Sequence, residues 1–372
     1  MNLSENPGFL LTVVAFLLVL GPLVFVHEMG HYLVGRWFGV KAETFSIGFG
    51  REIAGWTDRR GTRWKLCMLP LGGYVQFAGD MDPSSRADPA WQALPEEERN
   101  RTFQAKTLLQ RALIVFAGPA INFLFAILIL AGFAFAYGKA VTPTEIAGFA
   151  PNSAAAAAGL EPGDRIVSVD GEPVEWFDEL GRKIAHRPDE LITVRAERDG
   201  AFSEYSFKIG VEVQKDRFGN EYRIGRLGIM SGKPVVRPVS LLEAPIVATQ
   251  RTGDIVRLMV ETLGQVITGR RSVSELGGPL KIAQISGEQF AAGLDDFIFF
   301  IALISINLGF INLLPIPMLD GGHLLFYAAE GIRRKPVNPK VMEWAFRSGL
   351  ALVLAFMVFV TVNDLASFGL LG

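Results

Sequence analysis

The sequence predicts a polytopic α-helical membrane protein with four transmembrane helices, a membrane-associated β-hairpin region and an inserted extracytoplasmic β-rich domain. Three observations lead to this prediction. The 372-residue chain is 50% hydrophobic and only 20% charged, and its mean hydropathy of +0.30 is positive, which is unusual for a soluble protein. Four long stretches contain no charged residue. The rest of the chain is more polar. It includes segments with strand-like alternation after the first stretch and a long segment between the second and third stretches.

The four uncharged stretches lie at residues 6–26, 112–138, 297–319 and 348–363. A helix of about 20 apolar residues crosses the ~30 Å core of a bilayer, and Arg347 can snorkel so that the fourth stretch reaches this length. We predict four transmembrane helices, over about residues 7–33, 110–137, 297–319 and 343–363. Because residues 1–8 contain no Lys or Arg, the first helix does not match a cleaved signal peptide and is expected to be retained.

The distribution of basic residues predicts the orientation of these helices. Residues 32–111 carry 12 Lys and Arg and residues 320–347 carry five, whereas the segments before the first helix and after residue 363 carry none. Short loops rich in Lys and Arg stay in the cytoplasm. Both termini and the long 139–296 segment are therefore expected outside.

Net charge and cysteine content exclude several classes of function. The net charge of −2 argues against a general affinity for nucleic acid. Cys67 is the one cysteine, so the chain has no internal disulfide and no multi-cysteine zinc finger.

The N-terminal membrane half is expected to span residues 1–138. Between its two transmembrane helices, residues 43–77 alternate β-branched and aromatic residues with glycines, a pattern typical of β-hairpins. Because this region follows the first span closely, we expect it to lie in or against the membrane. Residues 78–107 are polar and predict a cytoplasmic loop with little core.

A compact domain is predicted outside the membrane over residues 139–232. Residues 148–171 suggest a strand, a short Ala-rich helix ending at Gly159, a Pro-Gly-Asp turn and a second strand ending in Asp170-Gly171. This pattern resembles a PDZ domain of bacterial proteases. PDZ domains bind extended peptides by adding them to a sheet edge. A small β-rich domain without a ligand is the alternative.

A periplasmic amphipathic helical segment is predicted over residues 233–296. Ile255, Met259, Leu263 and Val266 recur at helical spacing. The helix is expected either on the outer membrane surface or packed on the β-rich domain. The C-terminal membrane half then covers residues 297–372.

The chemistry is indicated by an H-E-x-x-H motif at the end of the first span. His27 and His31 are four residues apart, about 400° of helix, so they point the same way and can bind one metal ion. Glu28 lies about 100° round the helix, within reach of a water on that metal. Imidazoles and carboxylates at the end of an apolar span are costly unless they face a partner or a cavity.

A catalytic zinc needs a third protein ligand. Asp320 is the carboxylate that directly follows an uncharged span on the same predicted side as the histidines. Pro315 and Pro317 are expected to unwind the chain before it. His323 is either a partner of the metal ligands or an ordinary interfacial residue.

Together these motifs resemble RseP-type members of the site-2 protease family, the zinc metalloproteases that cleave within membranes. The resemblance rests on His-Glu-Met-Gly-His at 27–31, Gly-Pro-Ala-Ile-Asn at 118–122, Leu-Asp-Gly-Gly at 319–322 and the inserted PDZ-like domain. It implies that His27, His31 and Asp320 bind one Zn²⁺ per chain and that Glu28 is the general base. Gly118, Pro119 and Asn122 fit the family pattern but equally fit helix packing.

The resemblance also implies substrate-handling roles for two sets of residues. In the β-region, the set expected to hold substrate as an added strand is Gly48, Phe49 and Gly50. In the third span, the polar and kinking set is Asn307, Asn312, Pro315 and Pro317. Better-known RseP-type proteases carry two tandem PDZ domains, whereas one is expected here.

The function implied is intramembrane hydrolysis of peptide bonds in single-span membrane proteins, such as anti-sigma factors and remnant signal peptides, after a first extracytoplasmic cut. The implied location is the bacterial inner membrane, with both termini and the PDZ domain in the periplasm. The expected partners are these substrates, a peptide or protein ligand of the PDZ domain and the lipid bilayer, with no nucleic acid. The alternative from another class is a non-catalytic membrane scaffold with a structural metal.

Overall fold

The computed structural model describes residues 8–80, 91, 93–215, 221–270, 277–335 and 337–367. Parts of the predictions lie outside the described residues: the start of the first span at residue 7, residues 81–90 and 92 of the 78–107 loop, residues 216–220 of the β-rich domain, residues 271–276 and 336, and both chain ends. Two compact units are found, one formed by the chain up to Gly132 together with the chain from Leu242 onward, the other by Phe133–Leu241.

The described residues form ten α-helices: Phe9–Trp37 (α1), Glu96–Arg99 (α2), Leu108–Tyr137 (α3), Ala154–Ala157 (α4), Phe177–Ala185 (α5), Ala244–Ile267 (α6), Pro279–Ala292 (α7), Leu294–Asn312 (α8), Asp320–Arg333 (α9) and Pro339–Ser367 (α10). They also form twelve strands: Ala42–Thr57 (β1), Arg63–Phe77 (β2), Lys139–Val141 (β3), Ile146–Phe149 (β4), Arg165–Val169 (β5), Glu172–Pro173 (β6), Leu191–Arg198 (β7), Ala201–Lys208 (β8), Gly210–Lys215 (β9), Glu221–Arg226 (β10), Ile229–Ser231 (β11) and Val235–Arg237 (β12).

Four of these helices, α1, α3, α8 and α10, are long and apolar enough to cross a membrane. Ala15, Val19 and Leu23 of α1 repeat every four residues, and this face shares an apolar cluster with Phe297 and Phe300 of α8. The faces of α1 that carry Phe9, Leu10 and Leu33 are exposed, as expected for helices that meet lipid.

The third predicted span ends earlier than expected. Helix α8 stops at Asn312 rather than at residue 319. Pro315 and Pro317 cannot donate a backbone hydrogen bond, and each disfavours helical geometry in the residue before it. The chain therefore runs through a tight turn before helix α9 begins at Asp320.

Strands β1 and β2 form one long antiparallel hairpin. Asp58 closes its tip by accepting hydrogen bonds from the backbone amides of Arg60 and Thr62 and from the Trp64 ring nitrogen. At the other end, buried Phe45 packs against Tyr32 of α1. These contacts attach the hairpin to the helix that carries the H-E-x-x-H motif.

The segment 78–107 has more core than the sequence predicts. Phe103 is 2% exposed and stacks on Phe77 at a ring separation of 5.7 Å. An apolar side chain in this otherwise polar segment therefore joins the cluster beneath the hairpin.

Helix α6 packs against apolar helices of its own unit. Its buried Ala248 shares a cluster with Ala126 and Leu130 of α3 and with Ala302 and Ile306 of α8. Small residues allow the three helices to approach closely. Helix α7 follows α6. Asp364 of α10 accepts hydrogen bonds from backbone amides at the start of α7.

The second unit is a small β-rich domain. Strands β6, β5, β7 and β8 form an antiparallel sheet in that order, and the remaining strands form the pairs β3–β12, β4–β11 and β9–β10. The unit extends beyond the predicted 139–232 because strand β12, which starts after residue 232, pairs with β3. Arg198 forms a two-pronged ion pair with the buried carboxylate of Asp164, and this hydrogen bonding lowers the pKa of Asp164.

Candidate metal centre

Helix α1 presents His27 and His31 from successive turns. Their Nε2 atoms lie 3.3 Å apart, because a spacing of four residues puts both side chains on one face of the helix. His27 is 8% exposed. Two imidazoles are thus brought together in a mainly apolar environment.

Asp320 reaches the same point from helix α9. One carboxylate oxygen, Oδ2, is 3.2 Å from Nε2 of His27, and the other, Oδ1, is 3.6 Å from Nε2 of His31. The ligand atoms of the three residues all lie within 4.8 Å of one another. Among the described residues, these are the three His, Cys, Asp or Glu side chains close enough together to hold one metal ion.

Two glycines after Asp320 allow the chain to deliver it there. A Cβ on Gly321 would lie 2.3 Å from the carbonyl oxygens of Leu313 and Leu314, and one on Gly322 would lie 2.4 Å from that of Ile316. The turn between α8 and α9 therefore packs backbone against backbone. Only glycine leaves enough room at these two positions.

The donor atoms fit a catalytic zinc ion. His31 donates a hydrogen bond from Nδ1 to the Ile114 carbonyl at 2.9 Å, so its neutral ring carries a lone pair on Nε2, facing Asp320. The buried Oδ2 of Asp320 has no hydrogen-bond partner within the described chain. Two nitrogen ligands and one carboxylate, with a fourth position left for water, form a known arrangement of catalytic zinc sites.

Glu28 lies beside this group without being part of it. The side chain is buried, and the backbone of Val75 in β2 lies next to its carboxylate. A Cβ on Gly73 would lie 3.0 Å from Cγ of Glu28, so the missing side chain lets the hairpin approach the glutamate. A carboxylate next to a metal site, but not ligating it, is suited to proton transfer.

Gly118 of α3 provides the space in which both imidazole rings sit. A Cβ there would lie 2.2 Å from Nε2 of His31 and 2.9 Å from Cε1 of His27. Any side chain at this position would have to displace the rings. Close packing of α3 against α1 is therefore a condition for the metal site.

We expect Gly118→Ala to reduce peptide cleavage by about 10²-fold, because displacing a reacting group by about 1 Å can cost this much. Gly132→Ala is the matched control, since it lies on the same helix with nothing within 4 Å of the added Cβ. Cleavage rates of the two purified variants measure the effect. Equal activity in both would show that the rings tolerate a larger neighbour.

Three candidate substrate-binding residues lie in strand β1. Gly48 and Gly50 both have a φ of +87°, a conformation that side chains other than glycine rarely adopt. Phe49 between them is 41% exposed and stacks on Tyr74. Ile47, just before them, pairs with Gly73, the residue that lies against Glu28. This part of β1 therefore passes close to the metal centre.

The other candidates lie on α8 and in the turn that follows. Asn307 and Asn312 are in the last two turns of α8, and the described residues show no hydrogen bond from either to the three potential ligands. Pro315 and Pro317 are in the turn before Asp320, where Gly349 of α10 packs on the Pro317 backbone. His323 is not grouped with the ligands, and its ring packs against Phe346 at 4.8 Å.

The sequence did not show which residues lie next to the Nδ1 atoms of the two histidine rings. Nδ1 of His27 is 3.1 Å from the Asn122 side-chain amide, and Nδ1 of His31 bonds to Ile114. Ile114, Gly118 and Asn122 repeat every four residues on α3, as His27 and His31 do on α1. That shared spacing is the signal from which the contact could have been predicted.

Comparison with known proteins finds relatives over almost the whole chain. The profile of peptidase family M50 matches residues 15–356. A relative from Rhizobium meliloti, named as a zinc metalloprotease, is 45% identical over 95% of this chain and 96% of its own. One from Agrobacterium fabrum, named likewise, is 44% identical over 95% of this chain and 96% of its own. Metalloprotease MmpA from Caulobacter vibrioides is 36% identical over 96% of each chain.

A solved PDZ domain of an SdrC-like protein from Listeria monocytogenes also matches 24% of this chain and 85% of its own, at 17% identity and a TM-score of 0.18.

Proposed function

This chain belongs to peptidase family M50, the site-2 proteases, and from this premise we propose that it is an intramembrane zinc metalloendopeptidase that cleaves the transmembrane segments of single-span proteins. The observation that carries the proposal is the convergence of His27, His31 and Asp320 with Glu28 beside them. We assign the three converging residues to one zinc ion per chain and Glu28 to the general base.

The residues have distinct tasks in peptide hydrolysis. His27, His31 and Asp320 would hold zinc, which would supply Lewis acidity for the attacking water and the scissile carbonyl. Glu28 accepts the proton of the attacking water and passes it to the leaving amine. The carboxylate is buried against Gly73 and Val75, so it is held in place and shielded from bulk water.

The hairpin is proposed to hold the substrate in extended form. A transmembrane helix hides its carbonyls in its own hydrogen bonds, so it must unwind before it can be cut. Strand addition along Gly48, Phe49 and Gly50 offers replacement hydrogen bonds next to Glu28. Asn307, Asn312, Pro315 and Pro317 are proposed to contact the unwound segment from α8 and the turn after it.

The arrangement in the membrane is part of the proposal. Helices α1, α3, α8 and α10 are assigned to the four spans of a bacterial inner-membrane protein. The basic segments 32–111 and 320–347 are placed in the cytoplasm, and both termini with the 139–296 segment in the periplasm. The β-rich domain at 139–232 is proposed to be a single PDZ domain that binds a peptide or protein ligand and limits access to substrates already cut outside.

The test is reconstitution in lipid vesicles with a labelled single-span protein, such as an anti-sigma factor or a remnant signal peptide. We expect mass spectrometry to map the cut inside the transmembrane segment. A chelator should abolish cleavage, and added zinc should restore it. Cuts confined to residues outside the segment, or cleavage that resists metal removal, would contradict the proposal.

The access step is tested with the same substrate in two forms, intact and without its extracytoplasmic domain. We expect the shortened form to be cut faster. Equal rates would remove the requirement for a first cut while leaving the protease assignment in place.

A further inference from the structure

Asn122 is a buried amide directly behind one of the two histidines. Its side chain, fully buried, lies 3.1 Å from Nδ1 of His27. This nitrogen is on the side of the ring opposite Nε2, which faces Asp320 at 3.2 Å. The contact therefore connects α3 to the metal centre through the ring itself.

The chemistry of a metal-binding histidine defines what is needed at Nδ1. A neutral imidazole that binds metal through Nε2 carries its proton on Nδ1, and an acceptor there holds the ring and its tautomer. His31 has such an acceptor in the Ile114 carbonyl. For His27, the group in that position is the Asn122 amide.

The amide oxygen of Asn122 is available for this role. Oδ1 is buried and has no hydrogen-bond partner within the described part of the chain. The oxygen and nitrogen of an amide have nearly the same shape, so a half-turn about the last bond places Oδ1 where Nδ2 lies. Oδ1 then accepts the Nδ1–H of His27.

Asn122 is itself held in place by a neighbouring helix. Ser305 of α8, fully buried, donates a hydrogen bond from its hydroxyl to the Asn122 carbonyl at 2.8 Å. Gly309, one turn further along α8, packs near the Pro119 carbonyl. The backbone that carries the amide is thus fixed by contacts from α8, while its side chain faces α1.

We propose that Asn122 is a positioning residue that accepts the Nδ1–H of His27 and thereby holds Nε2 toward Asp320 and the zinc ion. The inference rests on the metal site assigned under the proposed function. Helix α3 would then provide a hydrogen-bond acceptor for the Nδ1–H of each histidine. The acceptor is the Ile114 carbonyl for His31 and the Asn122 side-chain amide for His27. Asn122 does not touch the substrate or the reacting atoms.

The test compares Asn122→Leu, which removes the acceptor at similar size, with Asn122→Asp, which keeps an acceptor oxygen. Loss of a hydrogen-bond partner of a ligand typically weakens metal binding by about 10–100-fold. We expect this loss for Asn122→Leu in a competitive chelator titration, and near wild-type affinity for Asn122→Asp. Thr252→Val is the matched control, because Thr252 is a buried polar residue whose hydroxyl donates to the Ala248 carbonyl of its own helix.

A spectroscopic readout separates positioning from simple packing. The chain contains four histidines, so nitrogen-15 NMR of histidine-labelled, zinc-loaded protein resolves each ring. We expect His27 protonated at Nδ1 in the wild type and in Asn122→Asp, and a changed or mixed signal in Asn122→Leu. Normal zinc affinity and an unchanged His27 signal in Asn122→Leu would overturn the inference. Failure of the wild type itself to bind zinc would instead overturn the proposed function.

Discussion

Replacing Glu28 with glutamine is expected to lower the rate of peptide cleavage by roughly 10²–10⁴-fold, the usual contribution of a general base. Glutamine has nearly the same shape but cannot accept the proton of the attacking water. Zinc content should be unchanged, because Glu28 is outside the group of converging ligands. Parallel measurements of cleavage in vesicles and of bound zinc by elemental analysis check both parts.

Glu97→Gln is the matched control for this substitution. Glu97 lies on the short helix α2, is 84% exposed and pairs with Arg101. This variant should therefore cleave at the wild-type rate. If Glu28→Gln and Glu97→Gln cut equally well, Glu28 is not the base. If neither Glu28→Gln nor the wild type cuts while zinc is bound, the scaffold alternative gains support.

Replacing Asp320 with alanine is expected to remove zinc and, with it, all measurable cleavage. A catalytic zinc needs three protein ligands, and His27 and His31 would be left with two. The activation of water would be lost entirely, since a bound metal lowers the pKa of its water toward neutrality. Zinc affinity by chelator competition and the cleavage rate should therefore fall together.

Asp296→Ala is the matched control for Asp320→Ala. Asp296 is also an aspartate in the first turn of a helix, at the start of α8, but its side chain is exposed. This variant should retain both zinc and activity. A full complement of tightly bound zinc in Asp320→Ala would mean that another residue completes the site.

Much of this molecule can be predicted from the sequence because the relevant signals are local. The four apolar helices follow from runs of uncharged residues, whose burial in lipid does not depend on the rest of the fold. The juxtaposition of His27 and His31 follows from helix periodicity alone. Asp320 could be put forward as a third ligand because it directly follows an uncharged span on the same predicted side as the histidines.

Other features depend on contacts between distant parts of the chain. The side of α3 that faces the histidines, with Ile114, Gly118 and Asn122, has the same four-residue spacing as His27 and His31, but this spacing fits ordinary helix packing equally well. Helix α6 has an amphipathic pattern that fits several surfaces, and its Ala248, Ile255 and Met259 take part in packing with α3 and α8.

Composition and the spacing of residues within one segment are therefore enough to predict the apolar spans and the H-E-x-x-H pair, whereas the family resemblance needs motifs from several segments. The packed structure is needed to show where α8 ends, that the hairpin approaches Glu28 at Gly73, and which atoms surround the two imidazoles. These features are set by close packing of backbones at glycines and by hydrogen bonds between helices. Such contacts form only when separate segments meet, so no single segment encodes them.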